Sequence, residues 1–322
     1  MQPMKITRYF ICFLAVSLML SCVKDMQDEL NKGAWNHERS IISLKFKNQV
    51  GQAEIKRVDE SKGEVLVTLN VGAIEDISKV EIESIVLSYH ATSSVGKGQT
   101  LDFNNPERKA SITVASPLGE ERQYVVYANE FRETLEGIWS IDEFVLYGGT
   151  GPEYGGGRVY SFMDKPWCWY DEFAPSVEYD NTLEFTLESI TDDGNTMGTC
   201  INRPGPDGKY ADFIFKASSN PENGVDVDKK DYYRKIPEGE SQWIRNYATG
   251  TITFIDKDGK ESTGTLENAG TYDMGYNHSV TVANNAFAFN INGVDDWTYI
   301  YTDYDVFVKK ARKYFIMVTK QE

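Results

Sequence analysis

The chain predicts an all-β protein, and three observations carry that prediction. Apolar and polar residues alternate with a period of two in 40–47 (SIISLKFK), 63–71 (GEVLVTLNV), 109–116 (KASITVAS) and 122–128 (RQYVVYA). That is the period of a strand with one buried face. The same runs are rich in β-branched residues and are bounded by turn residues. After the first 21 residues no long stretch of period 3.6 interrupts them, so the layers available are sheets.

The first element is an address. Lys5 and Arg8 precede an apolar run, 9–20 (YFICFLAVSLML). It is shorter than the roughly 20 residues a bilayer span needs. Its length and flanks predict a signal peptide over 1–21. Residues 19–22 (MLSC) resemble a bacterial lipobox, with the small Ser21 before Cys22. The resemblance implies lipidation at Cys22; an ordinary signal peptide with an incidental cysteine is the alternative. Residues 22–38 are polar and aperiodic, as a lipidated tether would be. Asp25, Asp28 and Glu29 in that segment resemble the export signal of Bacteroidetes surface lipoproteins. The expected location is the outer membrane at the cell surface, with the membrane contacted through the lipid anchor only.

A boundary is expected near 129–136. Residues 39–130 hold about seven short strands, the size of one immunoglobulin-like sandwich. Their rhythm, GQTLDF followed by ITV and then QYVVYA, resembles the small immunoglobulin-like modules at the start of Bacteroidetes surface lipoproteins. That resemblance implies a spacer domain.

Residues 135–322 restart the alternation with LEGIWSIDEFVLYGG. Further strands are expected over 181–190, 211–218, 249–266, 278–291, 297–308 and 313–320, with a hairpin turn at Asp258-Gly259. Gly137-x-Trp139 resembles the opening strand of lipocalin-like barrels, and Trp139 is assigned to the core. A jelly-roll-like β-sandwich explains the same alternation, so barrel and sandwich both stand.

The full 322 residues carry a net charge of −16, and removal of Lys5 and Arg8 with a leader makes it about −18. Such a chain has no reason to seek phosphate backbones, and no nucleic-acid partner is expected. The one basic run, 309–313 (KKARK), reads as a solvated loop or hairpin. Three scattered histidines, His37, His90 and His278, argue against a histidine-built metal or catalytic site. Asp226, Asp228 and Asp231 do not spell a calcium loop and read as solvated acids. No metal and no cofactor are expected. Cys168 and Cys200 are the candidate disulfide of an exported domain, with a buried thiol as the alternative for each.

Chemistry is expected in two loops. The glycine-rich stretch 147–160 (YGGTGPEYGGGRVY) lacks the Lys-Ser/Thr of a phosphate loop. It reads as a mobile rim offering Tyr154. Residues 165–175 (KPWCWYDEFAP) crowd aromatics between two prolines. In an extended segment Trp167 and Trp169 share one face, a stacking surface for sugar rings. Tyr170 and Asp171 stand beside them, Asp171 as an acceptor for hydroxyls. Trp243 and Arg245 alternate on one face of 241–247, where a guanidinium can stack and donate. Trp297, Tyr299 and Tyr301 show the same alternation and are assigned mainly to the core.

The layout of anchor, tether, immunoglobulin-like module and aromatic-rich distal domain resembles the surface glycan-binding lipoproteins of Bacteroidetes polysaccharide-utilisation systems. It implies a glycan ligand, further surface proteins of a glycan-uptake system as partners, and no enzyme activity. A structural or adhesive lipoprotein is the first rival. The second is a β-sandwich glycoside hydrolase, which needs two facing carboxylates.

Overall fold

The structure, a computed structural model, describes residues 35–321. The expected signal peptide, the expected acylation site Cys22 and most of the expected 22–38 tether lie outside the described residues. The fold is mostly β, in two compact units that part at Phe131/Arg132.

The first unit has eight strands: β1 (Ile41–Phe46), β2 (Gln49–Arg57), β3 (Lys62–Leu69), β4 (Val80–Leu87), β5 (Thr92–Ser93), β6 (Thr100–Leu101), β7 (Lys109–Ala115) and β8 (Glu121–Glu130). They form two sheets, β1-β4-β6 and β2-β3-β8-β7-β5. All pairs are antiparallel except β3 with β8. Successive side chains on a strand point to opposite faces. The alternating Val65, Val67 and Leu69 of β3 therefore turn inward together, as do Tyr124, Val126 and Ala128 of β8. They meet Leu44 and Phe46 of β1 and Val80 and Ile82 of β4 in one core.

The second unit is a closed eight-stranded barrel. Its strands are β9 (Gly137–Gly148), β11 (Thr182–Ile190), β12 (Thr196–Arg203), β15 (Gly239–Asn246), β16 (Thr251–Ile255), β17 (Glu261–Gly275), β18 (His278–Asn290) and β19 (Ala311–Lys320). Each pairs antiparallel with the next, and β19 returns to β9 from Ala311 against Gly148 to Lys320 against Trp139. Closure leaves these eight strands no free edge. Of the two architectures expected, the barrel is the one formed and the sandwich is not. One edge of β9 is shared: its first residues pair β11, and its last four pair the short β10 (Arg158–Ser161). Where the two partners diverge, the Tyr179 hydroxyl accepts from the Phe144 N–H at 3.1 Å.

The lumen is packed, not hollow. Trp139, Phe185, Trp243, Phe254 and Phe287 fill one end. Phe162, Trp169, Phe213, Tyr233 and Phe307, brought in by the connecting segments, fill the other. The antiparallel order puts the long connections 149–157, 162–181, 204–238 and 291–310 at a single end. The opposite end has the tight turns 191–195 and 247–250. Within 204–238, β13 (Ile214–Phe215) and β14 (Val227–Asp228) make a two-stranded ribbon.

The β17–β18 hairpin outruns the barrel. A register shift at Asn268/Gly270 turns it. Its Tyr272, Met274, Val280 and Val282 then pack on Val145, Phe315 and Met317 outside the barrel, as a second small core.

Three expected elements differ. Residues 297–308 form no strand: a single π-helical turn spans Asp305–Lys309 and Tyr301 sits at φ 74°. The strand over 211–218 shrinks to Ile214–Phe215. The basic run 309–313 is no solvated loop. Lys309 pairs with Glu222 at 2.8 Å, Lys310 and Arg312 with Asp295 at 2.9 and 3.1 Å, and Ala311 is buried at the start of β19. The hairpin at Asp258-Gly259 forms, with Gly259 at φ 80° and its N–H donating to Asp256 O at 3.0 Å.

Candidate functional site

The aromatic stretch 165–175 is not an extended strand. Pro166, with its φ preset for a turn, opens a 3₁₀ turn over Pro166–Cys168, and a second follows over Asp171–Phe173. With about three residues per turn, positions three apart fall on one side. Trp167, Tyr170 and Phe173 accordingly face solvent, while Cys168 and Trp169 are buried. The expected pairing of Trp167 with Trp169 on one face is thereby overturned. Trp169 stacks on Phe162 at 5.3 Å and meets Phe307 and Phe215 edge-on at 5.4 and 5.7 Å. It is part of the plug and unavailable to a ligand. Its indole Nε1 is buried with no hydrogen-bond partner among the described residues.

Neighbouring segments hold the three exposed rings. The Ser219 hydroxyl donates to Trp167 O, and the Lys216 N–H to Cys168 O at 2.8 Å. The Tyr170 hydroxyl donates to both oxygens of Asp226, at 3.0 and 2.9 Å. A lysine amine lies against each ring: Lys165 at 5.2 Å from Trp167, Lys216 at 5.3 Å from Tyr170 and Lys209 at 5.6 Å from Phe173. Asp171 projects into solvent, with the Lys216 amine 3.7 Å away.

A second exposed group stands on the other loops of the same barrel end. Tyr154 and Trp297 meet edge-on at 5.7 Å, and the Tyr301 hydroxyl donates to Tyr154 O at 3.0 Å. All three are more than half exposed. Lys165 bridges the two groups. Its amine lies over Trp167 and pairs at 2.9 Å with Asp303, two residues beyond Tyr301.

The glycine loop under Tyr154, expected as a mobile rim, is tied by hydrogen bonds to the segment 296–305. The buried Asp305 carboxylate accepts from Thr150 N at 2.6 Å and from Thr150 Oγ1 at 2.7 Å. Asp296 N donates in turn to Thr150 Oγ1 at 2.8 Å. A Cβ on Gly149 or Gly156 would collide with the backbone across the loop, so these glycines serve its packing on itself. Burial, and the charges of Asp296 and Asp295, push the Asp305 carboxyl above its ordinary range against the pull of the Thr150 bonds.

Two further expected ligand residues are structural. Trp243 is fully buried in the lumen, its indole N–H donating to Thr199 O at 3.2 Å. Arg245 is committed to the buried Glu133 at 2.8 Å and to Thr134 Oγ1 at 2.7 Å. Glu133 also accepts from Thr196 Oγ1 at 2.6 Å, Tyr247 Oη at 2.8 Å and Leu135 N at 3.0 Å. Burial alone would raise this carboxyl, but those donors and the guanidinium outweigh it and hold the carboxyl low. Cys168 and Cys200 are both free buried thiols, not a disulfide. Burial pushes Cys168 up to about 11, assisted by Asp303 4.0 Å away.

Sequence reasoning missed Phe173, and it placed Trp297 and Tyr301 mainly in the core. The alternation of 295–305 imitates a strand. The usable signal was the preceding NGVDD, a cluster of turn residues that predicts a loop. Among the described residues no group of three or more His, Cys, Asp or Glu could hold a metal ion. No helix among them is long and apolar enough to cross a membrane. Comparison with known protein families and with curated proteins finds no match for this chain.

Proposed function

We propose that this protein is a cell-surface lipoprotein whose second unit binds an uncharged polysaccharide on the exposed aromatic face at one end of its barrel. The observation that carries the reading is the pairing of a filled lumen with an exposed, pinned set of rings. Trp167, Tyr170 and Phe173 form one row; Tyr154, Trp297 and Tyr301 form the other. Indoles and phenols stack on the apolar faces of sugar rings, and their polar edges meet hydroxyls. A broad open face suits a polymer better than a small molecule, which takes a concave pocket. The lysines beside this face are largely engaged, and Asp171, Glu172 and Asp226 add acceptors. That balance favours hydroxyls over anionic groups.

The remainder of the reading follows the layout. The first unit, two sheets on one core, serves as the immunoglobulin-like spacer. The lipocalin-like resemblance of the second unit is supported by its meander order and by buried Trp139 on its opening strand. Cys22 carries the anchor at the outer membrane, and other surface proteins of a glycan-uptake system are the partners. No catalytic residue is assigned.

A panel of neutral and acidic polysaccharides in affinity gels and calorimetry tests the reading, run on wild type, Trp297→Ala and Trp167→Ala. Binding of a neutral glycan is expected, little changed by salt and weakened roughly tenfold or more in each variant. Absence of binding across the panel refutes the function in favour of an adhesive or structural role. Binding unchanged in both variants refutes the site.

A further inference from the structure

The first unit contains an arginine-lined cleft that the glycan reading does not use. Arg122 is only 3% exposed, yet its guanidinium reaches only neutral acceptors. These are Glu60 O at 3.2 Å, Ser40 Oγ at 3.3 Å and Arg39 O at 3.4 Å. It makes no ion pair among the described residues, and its Nη2, which donates to nothing there, stays open to solvent in the cleft. Two more arginines line the same cleft, which holds about 290 Å³. Arg39 pairs with Glu120 at 3.0 Å but keeps a buried Nε without an acceptor. Arg57 pairs with Glu38 at 2.9 Å and bonds Ser40 Oγ at 2.7 Å.

A buried guanidinium without a carboxylate is costly. Here the two neighbouring arginines each have a partner and Arg122 has none. The exposed Glu60 lines the cleft but its carboxylate pairs with none of the three. A compact acceptor with several oxygens takes N–H groups from more than one guanidinium at a time.

We propose that this cleft binds an oxyanion of the phosphate class, as a free ion or as the phosphate of a lipid headgroup. Its lining is balanced in charge, three arginines against Glu38, Glu60 and Glu120, with His37 beside Glu120 at 3.1 Å, in a chain whose net charge is −16. The site lies wholly in the first unit, so its fate is independent of the glycan face.

The test is calorimetry and thermal melting of the protein in sodium phosphate against sodium chloride at matched ionic strength. Phosphate is expected to raise the melting temperature saturably. Arg57→Gln and Arg39→Gln are expected to weaken that binding roughly tenfold or more. Arg57 is half exposed, so its variant stays folded even where a change at Arg122 does not. The Cys22→Ser chain, which lacks the acylation site, is then sedimented with phosphatidylcholine vesicles with and without phosphatidic acid. Retention only by the phosphatidic acid vesicles assigns the headgroup. A saturable phosphate shift without retention assigns the free ion. Equal melting in phosphate and chloride together with no retention, or unchanged binding in both arginine variants, overturns the proposal.

Discussion

At the scale of single residues, two buried carboxylates on the second unit carry opposite signs. Glu133 is held low by Thr196, Leu135, Tyr247 and Arg245, which together overcome its burial. Its contribution is therefore fully present above the usual glutamate value of 4.5 and is lost as pH falls through the lower folded value. Arg245→Ala is expected to cost about 3 kcal/mol at neutral pH, because it strands that carboxylate. Glu133→Gln should also lower neutral stability and flatten the loss of stability in acid. Denaturant titrations at several pH values check both, and an unchanged acid limb in Glu133→Gln would refute the assignment. Asp305 runs the other way. Its raised value means that burial costs stability at neutral pH and that acid relieves the cost.

At the scale of elements, the 3₁₀ turns sort neighbouring tryptophans into different roles. Trp169→Ala removes a fully buried indole and should cost roughly 3–5 kcal/mol. Trp167→Ala should leave stability within about 0.5 kcal/mol of wild type. Thermal melts of the pair decide this, and similar losses in both would contradict the two-sided geometry. The glycine loop offers a second test. Gly156→Ala forces a Cβ against Thr150 O, so it should disturb Tyr154 while the barrel stays folded. The expected signature is weakened glycan binding with an unchanged far-ultraviolet circular dichroism spectrum. Loss of the spectrum itself would mean that the loop is needed for the barrel.

These elements also show what alternation can and cannot convey. The strands read from 63–71, 109–116, 181–190 and 313–320 are present as β3, β7, β11 and β19, because each has one face against a core and one toward the outside. The same pattern in 297–308 failed. There the aspartates bind neighbours instead of facing water: Asp303 takes Lys165, and Asp305 takes Thr150. The sequence points Trp169 and Trp243 to a ligand because an aromatic has one appearance in sequence whether it faces a sugar or a lumen. Tyr154, Trp167 and Tyr170 are exposed, on segments where proline or glycine breaks the ladder.

At the scale of the whole molecule, each unit has its own core, and the barrel closes on itself without a strand from the first unit. A fragment of residues 132–322 should therefore fold alone and keep the glycan binding proposed for the full chain. Calorimetry on that fragment checks it, and an unfolded fragment would show that the barrel depends on the first unit. The sequence by itself determined the all-β character, since period-two burial is written in residue order. It also narrowed the second unit to two ways of covering an apolar sheet face. Only the tertiary structure decided between them, because closure rests on β19 meeting β9 across some 170 residues, and no local pattern records that contact. It also decided which aromatics are plug and which are surface, because burial belongs to what packs on a side chain and not to the side chain.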